Sequence, residues 1–251
     1  MTSPVEHTSQ GPVVTLRMQH GKVQALDVAL VSALDHALAE VAGAGAGALL
    51  LIGQGRAFSA GVDLKQLLAG GDDYVDQFLP ALSRMLVRLF AHPGPVIAAI
   101  NGHAIAGGCV IACACDYKVM SQDATIGVPE LRVGVPFPVA PLEILRFALA
   151  DPHLQEFVYV GKTYSADEAL HRGMVDEVVP AEQVATRAVV VAERFAMGPA
   201  ARFRLTKEQL RRPTLERIRQ DEPLMEAKLL AAWKDKVTRN AIQQYMDELR
   251  R

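Results

Sequence analysis

The sequence predicts an α/β core followed by an all-helical C-terminal region, on three observations. Strand-like and helix-like stretches alternate from Val13 to Val179, the pattern of an α/β architecture. Strand signals stop at Pro180, and everything after it reads as helix. Half of the 251 residues are hydrophobic and 22% are charged, enough apolar material for one large core. The expected division is a core over residues 1–190 and a helical region over 191–251.

Taken in order, residues 1–12 are polar and read as loose chain. Val13 to Met18 alternate, with Val14, Leu16 and Met18 on one side, which predicts a half-buried strand. Leu26, Leu30, Leu34 and Leu38 recur at helical spacing, and the glycines from Gly43 to Gly47 end that helix. Ala48 to Ile52 suits a buried strand. A glycine-rich turn then runs from Gly53 to Gly61, and residues 62–69 read as helix. GGDDYVD at 70–76 reads as a mobile polar loop, and Phe78 to Phe90 as an amphipathic helix stopped by His92-Pro93-Gly94-Pro95. Pro95 to Ile100 is expected as a strand, Cys109 to Cys115 as a short buried helix, and Tyr117 to Met120 as a strand. Pro136 and Pro138 mark a loop before a helix over 139–150. Ser165 with Glu168 predicts a capping box for a helix over 166–172, with Gly173 at its C′ position. Val175 to Val179 closes the strand series. Helices are expected over 181–197, 200–211, 214–233 and 236–251, and their apolar content suits them to cover a site or a subunit interface.

Net charge is −2, without the basic bias of a nucleic-acid surface. No uninterrupted apolar run reaches membrane-spanning length. The first residues, MTSPVEHTSQGP, lack the pattern of a signal peptide or transit sequence. Cys109, Cys113 and Cys115 share one apolar segment and no histidine completes a ligand set, so they read as buried thiols in a reducing compartment rather than as a metal site. A cytoplasmic location is expected, with a mature organellar form left open.

Two clusters of backbone donors stand out: the Ala60-Gly61-Val62 turn and the Gly107-Gly108 helix start. Free N–H groups at a helix start favour negative charge, and two converging clusters would polarise a carbonyl oxygen and stabilise an enolate. The alternatives are a plain turn at the first cluster and, at Gly107 and Gly108, close helix packing alone. Glu130, set among Gly127, Val128, Pro129, Leu131 and Val133, is the best candidate base, because an acid in apolar surroundings has a raised pKa. The alternative is a surface acid after a proline turn. Asp63 and Asp116 read as turn braces, Glu143 as an exposed helix acid, and His103 as structural.

Four stretches taken together resemble the crotonase superfamily of enoyl-CoA hydratases and isomerases: GRAFSAGVDLK at 55–65, PVIAAINGHAIAGG at 95–108, CDYKVMSQDATIGVPELRVGV at 115–135 and YSADEALHRGMVDEVVP at 164–180. The resemblance implies a spiral of ββα units with a helical C-terminal trimerisation region, a homotrimer or dimer of trimers, and an acyl-CoA thioester substrate used in fatty-acid β-oxidation. It implies no separate cofactor and no metal, coenzyme A being part of the substrate. By position, the oxyanion donors would be the N–H groups of Val62 and Gly107. The backbone of Phe58, Ser59 and Ala60, with Lys65, would lie along the CoA. Hydratases of this kind use two glutamates; the second falls on Glu130 and the first on Val110, which cannot move a proton. AGGCVIACACDYKVM, VGVPFPVAPLEIL and AIQQYMDELRR are most similar to mitochondrial-type Δ3,Δ2-enoyl-CoA isomerases, for which one base suffices. The alternatives are a hydratase with a relocated second acid such as Glu143, or an acyl-CoA-binding protein without turnover.

Overall fold

A computed structural model of the chain describes residues 3–45, 47–149 and 153–248. An antiparallel pair opens it, β1 (Val5–Gln10) and β2 (Val13–Met18). α1 (Val28–Ala44) follows, its first turn capped by Asp27, whose side chain accepts from the Leu30 N–H. Three ββα units come next. They are β3 (Ala48–Gly53), β4 (Ala57–Ser59) and α2 (Leu64–Phe90); β5 (Val96–Ile100), β6 (His103–Ile105) and α3 (Gly107–Ala114); and β7 (Tyr117–Ser121), β8 (Thr125–Gly127) and α4 (Glu130–Val133). α5 (Val139–Ala148) and α6 (His153–Val160) lead to β9 (Thr163–Ser165), α7 (Ala166–His171) and β10 (Glu177–Val179). The chain ends in α8 (Val184–Ala196), α9 (Ala200–Lys234) and α10 (Lys236–Glu248).

The first strand of each unit joins a six-stranded sheet, ordered β1-β2-β3-β5-β7-β10, and the second joins a four-stranded sheet, ordered β4-β6-β8-β9. Each unit thus steps from the large sheet to the small one and returns by its helix, which makes a spiral. Beyond the β1–β2 pair the large sheet is parallel, so both its faces must be covered. One face packs on α1, α2 and α3 through Leu16, Leu34, Leu49, Met85 and Ile111. The other packs on α8, where Val184, Ala188 and Val191 meet Leu50, Ile97 and Val119.

Four expectations change. Residues 5–10 are not loose, because their backbone pairs along all of β2. The stretch 70–76 is helical within α2, which kinks at Gly71 (φ 64°, ψ −151°) instead of opening into a loop. The two helices expected over 200–233 are one, α9, running through Pro213 and Pro223. Each proline removes one helical hydrogen bond, but side chains along its length clamp α9 to the core: Lys207 and Arg211 before Pro213, Glu222 between the prolines and Trp233 after Pro223. The strands of the small sheet were not expected; three residues are too few to show alternation. The capping box of Ser165 and Glu168 is present, and Gly173 takes a left-handed conformation (φ 69°). Ala150 and Leu249 to Arg251, expected at helix ends, lie outside the described residues.

Candidate active site

Three parallel strands of the small sheet end side by side, β4 next to β6 and β6 next to β8. Val62 follows the end of β4 by three residues, Gly107 follows β6 by two, and Glu130 follows β8 by three. The topology therefore brings the three central residues to one edge, with Gly107 in the middle.

The donor turn is held from below. Leu26 N–H donates to Gly61 O at 2.7 Å, and Asp63 N–H donates to Leu26 O at 2.9 Å. This is a parallel bridge between Leu26 and Val62, in which the N–H and C=O of Val62 itself face the opposite side. Asp63 then caps α2, accepting from Lys65 and Gln66 N–H at 3.0 Å each. Gly61 has φ +79°, and a methyl group there would stand 2.6 Å from Ala106 Cβ and 3.1 Å from Gly107 N. The two donor clusters are thus in contact, and only glycine permits it.

Gly107 is the first residue of α3, so its N–H has no partner inside the helix. Ala106 before it has φ 52° and ψ −124°, a conformation that costs a non-glycine residue on the order of 1–3 kcal/mol. Its N–H donates to Gly127 O at 2.8 Å, so β8 holds the strained residue in place. A side chain on Gly108 would collide with Ser59 O, 2.3 Å away, so this glycine lets α3 sit on β4.

Glu130 begins α4. The residue is half-buried, but its Oε2 has under 1 Å² of exposed surface and no hydrogen-bond partner. Burial pushes the carboxyl pKa up to about 8, opposed only by its own N–H. A carboxyl group in this state is poised to exchange a proton near neutral pH. Among the described residues, no second acid has a buried oxygen without a partner. Val110 is 1% exposed and packed in the core. Glu143 is buried rather than exposed, and both its oxygens are engaged, by Arg146 Nε at 2.9 Å and Arg217 Nε at 2.6 Å.

The remaining predicted residues separate by exposure. Phe58 and Ser59 are buried, while Ala60 and Lys65 are exposed beside them. Ser59 Oγ donates to Gln24 O at 2.8 Å and accepts from Gly61 N–H at 3.2 Å, so its side chain braces the donor turn. Asp116 accepts from Val96 N–H, Lys207 and Arg211. His103 is a brace as expected, bonded through Nδ1 to Thr125. All three cysteines are free and buried, and no metal-binding group of side chains occurs among the described residues. Sequence reasoning passed over Ala106, whose positive φ no residue type announces, and Gln24, a buried brace whose Nε2 donates to Gln54 O and Ala57 O. A cavity of about 750 Å³ lies elsewhere, between α2, α9 and the start of α5. Neither Glu130 nor either candidate donor lines it.

Comparison with known proteins bears on the fold and the family. The family model described as "Enoyl-CoA hydratase/isomerase" matches residues 8–250. A curated relative, the mitochondrial enoyl-CoA hydratase domain-containing protein 3 of Rattus norvegicus, is 34% identical over 149 residues, which span 59% of this chain and 49% of that protein. An enoyl-CoA isomerase of Mycobacterium tuberculosis is 32% identical, with a TM-score of 0.84 over 90% of this chain and 99% of that one. The same mycobacterial protein bears the name "probable enoyl-CoA hydratase" in a second structure, so names do not separate the two reactions. The human mitochondrial Δ3-Δ2-enoyl-CoA isomerase superposes with a TM-score of 0.93 over 98% of both chains, at 23% identity, a likeness of fold. Among the described residues, no helix is long and apolar enough to cross a membrane.

Proposed function

The chain belongs to the enoyl-CoA hydratase/isomerase family, and within it we propose an isomerase that converts 3-enoyl-CoA to 2-trans-enoyl-CoA. The thioester oxygen is held between the N–H groups of Val62 and Gly107. Glu130 removes a proton from C2, the negative charge spreads into a dienolate on the oxygen, and the same carboxyl returns the proton at C4. The CoA lies along the Phe58–Ala60 backbone with Lys65 beside it.

The observation that carries this reading is a buried carboxyl oxygen without a partner, found among the described residues on Glu130 alone. Glu130 Oε2 is buried and unpaired, Val110 cannot carry a proton, and Glu143 is tied to two arginines. Hydration adds a hydroxyl and a proton from water across the double bond, and relatives built for it use two acids. A double-bond shift returns the proton it takes, so one group suffices. We also propose a homotrimer, supported by apolar side chains left exposed on α9: Leu205, Leu210, Leu224 and Met225.

The test is to supply 3-enoyl-CoA and 2-enoyl-CoA in parallel. The reading expects formation of the conjugated product from the first and little hydration of the second. Rapid hydration would overturn the single-acid argument, and tight binding with neither reaction would identify a binding protein.

A further inference from the structure

The helices that follow the two backbone donors end on one side chain. α3 starts at Gly107 and stops at Ala114, while α2 starts two residues after Val62 and stops at Phe90. The last carbonyls of a helix lack partners within it. Arg211, reaching in from α9, supplies one to each: its Nη1 donates to Phe90 O at 2.5 Å and to Ala114 O at 2.9 Å. Its Nη2 donates to Asp116 Oδ1 at 2.6 Å. Asp116 Oδ2 accepts from Lys207 Nζ at 2.6 Å and from Val96 N–H at 2.7 Å, and Lys207 also donates to Gly94 O at 2.9 Å. Arg211 is 3% exposed and lies 4.3 Å from the centre of the Phe90 ring.

Two largely buried cations share one carboxylate here, which is unfavourable unless the charge is balanced and the donors are bonded. The balance comes from the two helix C-termini, each carrying about half a negative charge. A simple anchor for α9 would need one cation and any one carbonyl. This guanidinium instead spans the ends of both helices and ties them to the start of β5, the strand that leads through β6 to Gly107. α3 is eight residues long, about 12 Å. It is unbroken, so a tilt of about 5° at its C-terminus moves Gly107 N by about 1 Å, a misplacement to which catalysis is sensitive. α2 transmits less, because it is kinked at Gly71 and contains Pro80.

We propose that Arg211 is a positioning residue for the oxyanion donors: by closing the C-terminus of α3 against that of α2, it sets where the Gly107 N–H meets the thioester oxygen. This rests on the thioester reading above. The test uses full-length Arg211→Met and Arg211→Lys, with folding checked by circular dichroism and thermal melting. The readouts are kcat and KM for 3-hexenoyl-CoA, and the infrared C=O stretch of bound, carbonyl-labelled 2-hexenoyl-CoA, which falls when donors polarise the carbonyl. In Arg211→Met, kcat drops by about tenfold or more while KM changes by less than about threefold, and the bound stretch moves back toward that of the free thioester. Arg211→Lys keeps the charge but cannot span both carbonyls, and falls between. A folded Met variant with wild-type kcat and stretch overturns the proposal. If the Met variant does not fold, a wild-type stretch in Arg211→Lys overturns it and a partial return supports it. A wild-type protein that leaves the bound carbonyl unshifted defeats the thioester reading itself. A wild-type shift that persists unchanged in the variants defeats only the role of Arg211.

Discussion

Glu130 sits in an environment chosen against its charge, and the consequences run in opposite directions for activity and stability. To act as the proposed base it must be ionised, so kcat/KM should rise with pH and level off above about 8, the value to which burial pushes it. For stability, the folded pKa lies above the unfolded one, so the folded state binds the proton more tightly. That contribution is complete below about 4.5 and is lost as pH rises through about 8. Glu130→Gln should therefore lower isomerisation by about 10²–10⁴ and yet stabilise the protein at pH 7 by on the order of 2–3 kcal/mol. The gain should vanish near pH 4, and denaturant melts of both proteins across this range would measure it. A variant equally inactive but less stable at pH 7 would contradict the account. Val110 offers the complementary change. Val110→Glu places an acid at a core position 1% exposed, which should destabilise the fold by about 2–4 kcal/mol. It should also raise hydration of 2-enoyl-CoA above the wild-type rate in a parallel assay.

The small sheet does the work of assembly, because three adjacent strand ends place Val62, Gly107 and Glu130 together. Its weakest point sterically is Gly61. A methyl group there would stand 2.8 Å from Ile105 O, and the backbone is left-handed, so Gly61→Ala should cost about 2–4 kcal/mol and at least about 10² in kcat through the displaced donor. Retention of full activity by a folded Gly61→Ala protein would show that the two donor clusters need not touch. This sheet is also where the sequence was least informative. β4, β6, β8 and β9 are three residues each, below the length at which a period of two can be seen, whereas Val13 to Met18 and Ala48 to Ile52 were plain. The candidate site residues could nonetheless be singled out, since Gly61 before Val62, the Gly107-Gly108 pair and the apolar company of Glu130 are local features. What stayed hidden was their convergence, along with the contacts of Ala106 and Arg211, whose partners lie far away in sequence.

The C-terminal helices complete the molecule by closing over this edge. α10 lies against the turn that carries Glu130: a methyl group on Gly134 would be 2.5 Å from Ala241 Cβ, and Ile242 is fully buried. Arg239 pairs with Asp72 and Lys234 with Asp76, which fastens the end of α9 and the start of α10 to the kinked part of α2. Gly134→Val should therefore lower the melting temperature by several degrees. Adding Ala241→Gly should recover only part of it, because the left-handed backbone at Gly134 (φ 89°) remains unfavourable for valine. Four exposed apolar residues on α9 support the proposed homotrimer, so analytical ultracentrifugation should give three times the chain mass. A monomer at micromolar concentration would contradict that proposal. The alternation of strands and helices before Pro180, and the helices after it, were legible because they are long. The continuity of α9 was not, because its two prolines argue for breaks and only the side chains clamping it to the core argue against them.

The proposed isomerisation needs one carboxyl group, Glu130, and neither Val110 nor the arginine-bound Glu143 offers a second acid for hydration. It is tested most directly by following 3-enoyl-CoA and 2-enoyl-CoA side by side with the wild-type protein and Glu130→Gln. The wild type should form the conjugated 2-enoyl-CoA, Glu130→Gln should lose this activity, and neither protein should hydrate 2-enoyl-CoA at a comparable rate. Hydration by the wild type as fast as isomerisation, or isomerisation that survives in Glu130→Gln, would contradict the proposal.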